Sequence, residues 1–543
     1  MALQSPEWWR NGIIYQVYPR SFNDTSGDGI GDLKGVTAKL DYIQSLGVDA
    51  VWLSPFYKSP MVDFGYDVAD YRDVDPMFGS LADFDELIAE AHAKGLKVVI
   101  DQIYSHTSDQ HAWFEESRQS RDNPKADWYV WADTKPDGNP PNNWVSVFGG
   151  SSWKWDTRRN QYYLHNFLTE QPDLNVHNPE VQEQLLADLR FWLDRGVDGF
   201  RLDAINFCCH NQSLEDNPPK YASLAEYGDS IPPNQYDYQW HVNDKTQPET
   251  AAFLQRVRAV LNEYPGTMAV GEIGDDNMID VMTQYTTDNR LHCAYSFELL
   301  AEDCDAEFFR RIIRESNDLI TKGWACWSIG NHDVPRVITR WNADELDQAA
   351  KEDRAALFWL MQFTLRGNSC IYQGEELGLS EAEIAFEDLQ DPYGINLWPE
   401  FKGRDGCRTP MPWDSSLANA GFSSAKPWLP VVPEHIERSV DVMEADSSSL
   451  LHRFRSVVNW KNQQQWLKMA DLELIEDTGE LLAFYRDIDG HRYIIILNLG
   501  ATQQSYPLFT AGAENLTPDN YAHEVSPSAV VLPPSGAVVL KLA

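Results

Sequence analysis

The hydrophobic and polar positions repeat one local pattern: an amphipathic helix, a glycine that stops it, and a short apolar run closing on a polar residue. In residues 83–94, Phe84, Leu87, Ile88 and Ala91 fall on one helical face, with Asp83 placed to cap and Glu86 three residues on. Gly95 ends that helix, and LKVVI (96–100) runs into Asp101. Val181, Leu185, Leu189 and Trp192 line the next such face, Gly196 stops it, and VDGFRLD (197–203) follows. DYIQSLG (41–47) leads in the same way into VDAVWLSP (48–55). Further apolar runs lie at IIYQVYP (13–19), MAVGEI (268–273), CAYSF (293–297), WACWSIG (324–330) and CIYQG (370–374), most of them separated by helical patterns. Eight continuous apolar segments are what a parallel sheet covered on both faces requires. The pattern predicts an α/β fold, a closed (β/α)8 TIM barrel with its chemistry at the C-terminal strand ends. An open doubly wound sheet is the alternative, but no Gly-rich phosphate fingerprint follows the first strand.

Three excursions are too long for ordinary βα loops. Residues 105–175 follow the third strand, contain KPDGNPPNNW, and are predicted to form an inserted small domain. Residues 210–250 make a long loop after the fourth strand, and residues 379–435, rich in Pro, Gly and Trp, follow the eighth. After a helical stretch at 449–466 the texture changes to alternating segments such as LLAFYRD and YIIILNLG, so 467–543 reads as a C-terminal all-β sandwich domain. The barrel is then 1–104 together with 176–466.

Composition narrows the function. Against 83 Asp and Glu stand 44 Lys and Arg, a formal charge of −39 that repels both a nucleic-acid backbone and an anionic membrane. With 43% hydrophobic and 12% aromatic residues the chain folds rather than remaining disordered. Seven Cys, an odd number with no CxxC pair, point to a reducing compartment. The first residues, MALQSPEWWRNG, lack the apolar core of a signal peptide, and no run approaches the length of a membrane span. The expectation is a cytoplasmic protein, monomer or homodimer, acting on a small neutral partner.

Polar residues at the strand ends are Asp101, Arg201 with Asp203, Glu272, and His332 with Asp333. Three carboxylates converging on one mouth beside Arg and His suit a reaction through a cationic centre. Glycoside hydrolysis is such a reaction: one carboxylate attacks the oxocarbenium-like carbon and an acid protonates the leaving oxygen. Arg201 and Asp203, two residues apart in a strand, share a face, so the guanidinium is expected to keep Asp203 ionised.

These residues carry a resemblance. DQIYSH (101–106), GFRLDAINF (199–207), GEIGDD (271–276) and GNHDVPR (330–336) resemble, in order, the four conserved regions of glycoside hydrolase family 13, the α-amylase family, and QPDLN (171–175) resembles the fifth. The chain is most similar to the α-glucosidase and oligo-1,6-glucosidase branch. The resemblance implies Asp203 as nucleophile, Glu272 as general acid and base, and Asp333 as the group holding the distorted −1 sugar. It implies that His106 and His332 hydrogen-bond that glucose and that Tyr66 of FGYDVADY stacks on it. Asp63 would pair with Arg408 of GRDGCRTPMPW to grip the 4-hydroxyl and close the non-reducing end, which makes the enzyme exo-acting. Phe148 and Phe167 would be apolar walls, and Arg404 would lie at the entrance or on the surface. Ser105 stands where the family usually has the Asn that supports a calcium beside the inserted domain, so that calcium is not expected. Ala204 follows the nucleophile where α-1,6-cleaving relatives usually carry Val, which predicts maltose over isomaltose.

A separate metal site is expected from spacing: Asp24, Ser26, Asp28, the Ile30 carbonyl and Asp32 occupy positions 1, 3, 5, 7 and 9 of an EF-hand-like loop. Gly35 stands at position 12 instead of Glu, so it is no true EF-hand. The similar branch binds Ca2+ or Mg2+ here, and no organic cofactor is implied. The whole reading is a retaining α-glucosidase acting on short α-1,4 glucosides such as maltose, sucrose-type or aryl α-glucosides, with transglucosylation. The alternatives are an oligo-1,6-glucosidase, a sucrose or maltose isomerase, or a non-catalytic glucosidase-like interaction protein. Against the isomerase, SFELLAEDCD (296–305) lacks the RLDRD-type segment of those enzymes.

Overall fold

The computed structural model describes residues 7–543 apart from 229–230, 302, 343–345 and 509–510. All eight apolar runs are strands of one sheet: β1 (Ile13–Val17), β2 (Ala50–Leu53), β3 (Lys97–Ile103), β4 (Gly199–Asp203), β5 (Met268–Ile273), β6 (Cys293–Ser296), β7 (Cys326–Ser328) and β8 (Asn368–Tyr372). Every pairing is parallel, and the order runs β6-β5-β4-β3-β2-β1-β8-β7. The ends meet through the parallel bridge Ala294–Ala325, where the Ala294 N–H donates to the Trp324 carbonyl over 3.3 Å, and the sheet closes into a barrel.

Strand alternation sorts the barrel interior into layers. Ile14, Ala50, Val99, Met268, Val270, Cys293, Cys326 and Cys370 form an apolar cluster that, with Trp52 and Tyr295, fills the inside. Two residues further along the same inward faces come Gln16, Asp101 and Glu272, and β4 adds Arg201 and Asp203, all buried. The dry lower layers fix the strand ends, and the polar layer sits on top of them.

The helices follow the predicted faces, with shifted ends. Leu81–Ala93 buries Phe84, Leu87, Ile88 and Ala91 as expected, but the cap is Ser80, not Asp83. Ser80 and Asp83 bond each other's backbone N–H in a capping box, so Asp83 occupies the third helical position. Pro179–Asp194 buries Val181, Leu185, Leu189 and Trp192 and is capped by Asn178. Gly95 and Gly196 end these helices at φ of 78° and 97°, where a glycine is needed.

Between β3 and the helix Pro179–Asp194 a three-stranded antiparallel sheet forms from Trp131–Ala132, Gln161–Leu164 and Trp153–Asp156. The loop after β4 is tied to this insertion: Asn143 and Asn217 bond reciprocally, and the Trp144 indole donates to the Glu215 carbonyl at 2.8 Å. After the helix Leu450–Gln463, antiparallel sheets of five and three strands make up the C-terminal all-β unit. Arg486, on the strand Leu481–Ile488, is fully buried and donates to the carbonyls of Thr364, Leu467 and Ala470, joining that unit to the barrel helix Gln348–Thr364.

Candidate active site

Register places the charged residues. Asp101 on β3 lies opposite Arg201 on β4, and Glu272 on β5 lies opposite Tyr295 on β6. Arg201 Nη1 binds Asp101 at 2.6 Å and Asp203 at 2.5 Å, while Nη2 pairs with Glu272. The Trp52 indole holds the other oxygen of Asp101 at 2.7 Å. The guanidinium is therefore shared by three carboxylates rather than dedicated to Asp203. Burial pushes the Asp203 carboxyl well above its ordinary value; Arg201 pulls it down, and Glu272 and Asp101 add to the rise. The contact expected between Arg201 and Asp203 forms, within this wider network.

Above this layer a second cluster contributes Asp63, Asp333 and Arg404 to the wall of a cavity of about 480 Å3 whose lining also includes Tyr66, His106, Phe148, Phe167, Asp203, Ala204 and Glu272. Arg404 is 9% exposed and is no surface residue. Its Nη2 reaches Asp63 at 3.0 Å, its Nη1 reaches Asp333 at 3.1 Å, and its Nε and Nη2 grip Asp391 at 3.0 and 2.8 Å. The expected Asp63–Arg408 pair does not form. Arg408 instead donates to Asp333 at 3.0 Å and to the His332 carbonyl at 2.7 Å, because Arg404, one turn earlier in the same loop, is the cation that reaches Asp63. Burial would raise Asp333, but His332 in its protonated form, Arg404 and Arg408 outweigh it and hold the carboxyl well below its ordinary range. For Asp391 burial is likewise outweighed by Arg404, leaving it at about 2. Asp63, with one bond from Arg404, is raised by burial.

The two histidines differ in setting: His106 lines the cavity, and His332 lies outside its lining. Burial lowers both to about 3, so each is neutral at pH 7. His332 is bonded by the Gln16 amide at Nδ1 (2.7 Å) and by the Tyr66 hydroxyl at Nε2 (2.6 Å), and the Tyr66 ring lies parallel to it at 5.5 Å. His106 meets the Ser105 hydroxyl at 2.9 Å and Gln171 at 3.1 Å, and Gln171 also donates to Asp63 at 3.1 Å. Ala204 adopts a left-handed conformation, φ 38° and ψ 44°, and its N–H donates to Glu272 Oε2 at 3.0 Å.

A family model described as the alpha-amylase catalytic domain matches residues 16–470. The chain belongs to the alpha-amylase family. It is a glycoside hydrolase of the α-glucosidase branch. A probable alpha-glucosidase of Rhizobium meliloti is 52% identical over 540 residues, covering 99% of this chain and 97% of the relative. An oligo-1,6-glucosidase of Heyndrickxia coagulans is 37% identical, covering 92% and 93%. A solved alpha-glucosyl transfer enzyme superposes with a TM-score of 0.94 at 50% identity, covering 99% of this chain and all of that one.

The family's chemistry needs no organic cofactor, and the carboxylates of the expected metal loop are turned onto its own backbone and hydroxyl donors. Asp32 is the N-cap of the helix Leu33–Ala38: its oxygens accept the N–H groups of Gly35, Thr25 and Ser26 and the Thr25 hydroxyl. All its lone-pair positions are taken, so it is not a ligand. Asp24 accepts the N–H groups of Gly27 and Gly29 and the hydroxyls of Ser26 and Ser423, and Asp28 accepts the Ile30 N–H. Ser26 thus donates inward, and the carboxylates close the loop on itself. Among the described residues no group of three or more His, Cys, Asp or Glu side chains is placed to hold a metal.

Sequence reasoning missed Asp391, Gln171 and Tyr295, and the cavity residues Tyr236, Lys245 and Tyr393. Two of these had a usable signal: Gln171 opens the QPDLN segment, and Tyr295 lies near the end of an apolar strand on its inward face. Asp391, Tyr236, Lys245 and Tyr393 come from the long loops, where no periodicity marks direction. Cys208 and Cys209 pack in the main core as small apolar groups.

Proposed function

We propose that this glycoside hydrolase is a retaining, exo-acting α-glucosidase that releases glucose from the non-reducing end of short α-1,4-linked glucosides and passes glucose to other hydroxyls. The observation that carries the reading is one cavity that Asp203 and Glu272 line together with Asp63, Asp333 and Arg404, the last ion-paired to both Asp63 and Asp333. In this reading the ion-paired cluster stops the non-reducing end, so that the site takes one terminal sugar. In the first step an Asp203 oxygen attacks C1, the C1–O bond breaks, and the proton of Glu272 goes to the leaving oxygen. In the second, Glu272 takes a proton from water or an alcohol, whose oxygen displaces Asp203 and restores the α configuration. Asp333, held ionised between Arg404 and Arg408, accepts hydrogen bonds from hydroxyls of the distorted sugar.

Beyond Glu272 the cavity wall carries Asp237, Asp275 and Asp276 against Lys220 and Lys245, a net negative lining that favours a neutral leaving group over an anionic one. Seven free cysteines favour a reducing, cytoplasmic setting, and among the described residues no helix is long and apolar enough to cross a membrane. The test is a kinetic panel of α-1,2-, α-1,3-, α-1,4- and α-1,6-linked glucose disaccharides and sucrose, with product analysis and the Asp203→Asn variant. Maltose is expected to lead, and the variant to be inactive. Full activity of Asp203→Asn would overturn the mechanism, and rearranged disaccharides as main product from sucrose would support the isomerase instead.

A further inference from the structure

Among the described residues, the phenol of Tyr295 is the one uncharged group hydrogen-bonded directly to Arg201. It is 2% exposed and lies outside the cavity lining, on β6 directly beside Glu272. Its oxygen accepts two hydrogen bonds from Arg201, from Nε at 3.0 Å and Nη2 at 2.9 Å. A tyrosine hydroxyl has one proton to give, and with its oxygen facing those donors the proton can go only to Glu272 Oε1, 2.8 Å away. Arg201 Nη2 also faces Oε1, so two donors converge on that oxygen. Oε2 receives one, the N–H of Ala204, next to the nucleophile.

We propose that Tyr295 is a positioning residue that decides which oxygen of Glu272 carries the catalytic proton. An Oε1 protonated against two donors would lose one of them, so the proton resides on Oε2, beside Ala204 and Asp203 where the glycosidic oxygen is cleaved. On the return step the same arrangement presents Oε2 as the base. Burial pushes the Tyr295 phenol well above its ordinary value, with Arg201 opposing, so it stays a donor throughout the working pH range. The inference rests on the reading of Glu272 as acid and base.

Tyr295→Phe keeps the ring and removes only the hydroxyl. Turnover then depends on whether the leaving oxygen needs a proton. For maltose, kcat/KM, which reports the glucosylation step, is expected to fall about 10- to 100-fold, a part of what general acid catalysis contributes. For α-glucosyl fluoride, whose leaving group needs little protonation, the fall in kcat/KM is expected to stay within about 3-fold. The basic limb of kcat/KM for maltose should move to higher pH, because a donor favouring the ionised acid has gone. Equal losses on the two substrates with an unmoved basic limb would make Tyr295 a packing residue and overturn the proposal. If Tyr295→Phe does not fold, 3,5-difluorotyrosine at position 295 keeps the contacts and donates more strongly; the basic limb should then move to lower pH, and an unmoved limb refutes the role. Glu272→Gln separates the underlying reading: maltose turnover that survives it removes Glu272 as the acid, whatever Tyr295 does.

Discussion

Replacing Arg404 with Gln removes the cation shared by Asp63, Asp333 and Asp391 while keeping most of the side-chain volume. Asp391 shows the cost most directly, because Arg404 draws its carboxyl from 3.8 to about 2 against burial. That difference corresponds to about 2 kcal/mol of stability at neutral pH. The group is depressed in the folded state, so its contribution is full above the unfolded value near pH 4 and is lost as pH falls through about 2. Leaving buried carboxylates without their cation sets an upper range of about 3–5 kcal/mol. A chain of this length unfolding as one unit has an unfolding entropy of about 1.1 kcal/mol/K, so Tm should drop by about 2–4 °C at pH 7. Between about pH 4 and 2 the parent should lose stability more steeply than the variant, and the two should converge. Catalysis should suffer more. Two charge-assisted bonds, to Asp63 and Asp333, are worth about 1.5–3 kcal/mol each, which predicts a fall in kcat/KM of about 10²–10⁴. Thermal melts across that pH range and initial rates on maltose measure both. A variant with the parent's Tm at pH 7 and the parent's pH dependence would refute the assignment of Arg404 as the hub of this cluster, and unchanged kcat/KM would refute its place in the sugar site.

Ala204→Val puts a β-branched residue where φ is 38°, a strain of about 1–3 kcal/mol; Tm should fall by about 1–3 °C, and maltose turnover should drop relative to isomaltose. Parent enzyme that already cleaves isomaltose as well as maltose would sink the reading of this position. Dialysis against EDTA should leave Tm unchanged within about 1 °C, since the loop carboxylates are satisfied by their own backbone and a bound cation would add stability by mass action. Asp32→Ala should cost about 0.5–2 kcal/mol through loss of the helix cap, lowering Tm by about 0.5–2 °C; a chelator-sensitive Tm would restore the metal site.

Much of the molecule was legible because strands and helices announce themselves by period. Each of the eight barrel strands is an apolar run in the sequence, and Asp101, Arg201, Asp203 and Glu272 stand at or near the ends of three of them, so fold and carboxylates could be read together. Helix ends were less legible: Ser80 and Asp83 both suit a cap, and only their reciprocal bonding decides which residue starts the helix. Least legible was pairing. Arg404 and Arg408 lie four residues apart in one irregular loop, and nothing local distinguishes the partner of Asp63 from the partner of Asp333.

The acidic spacing of Asp24 to Asp32 illustrates the same boundary. Spacing sets which side chains are near one another, but the orientation of each carboxylate depends on competing backbone donors, and Asp32 goes to the helix it precedes. By itself the sequence determined the barrel, the strand-end carboxylates and the family, because these depend on periodicity and on residues close in the chain. The sharing of Arg201 among three carboxylates, the Arg404 hub and the wedge of Tyr295 against Glu272 were decided only by the closed barrel and its loops. Asp101–Arg201 and Glu272–Tyr295 face each other across neighbouring strands, and Arg404 reaches Asp63 from a distant loop; each partner is chosen by geometry in a dry interior where donors and acceptors must be matched.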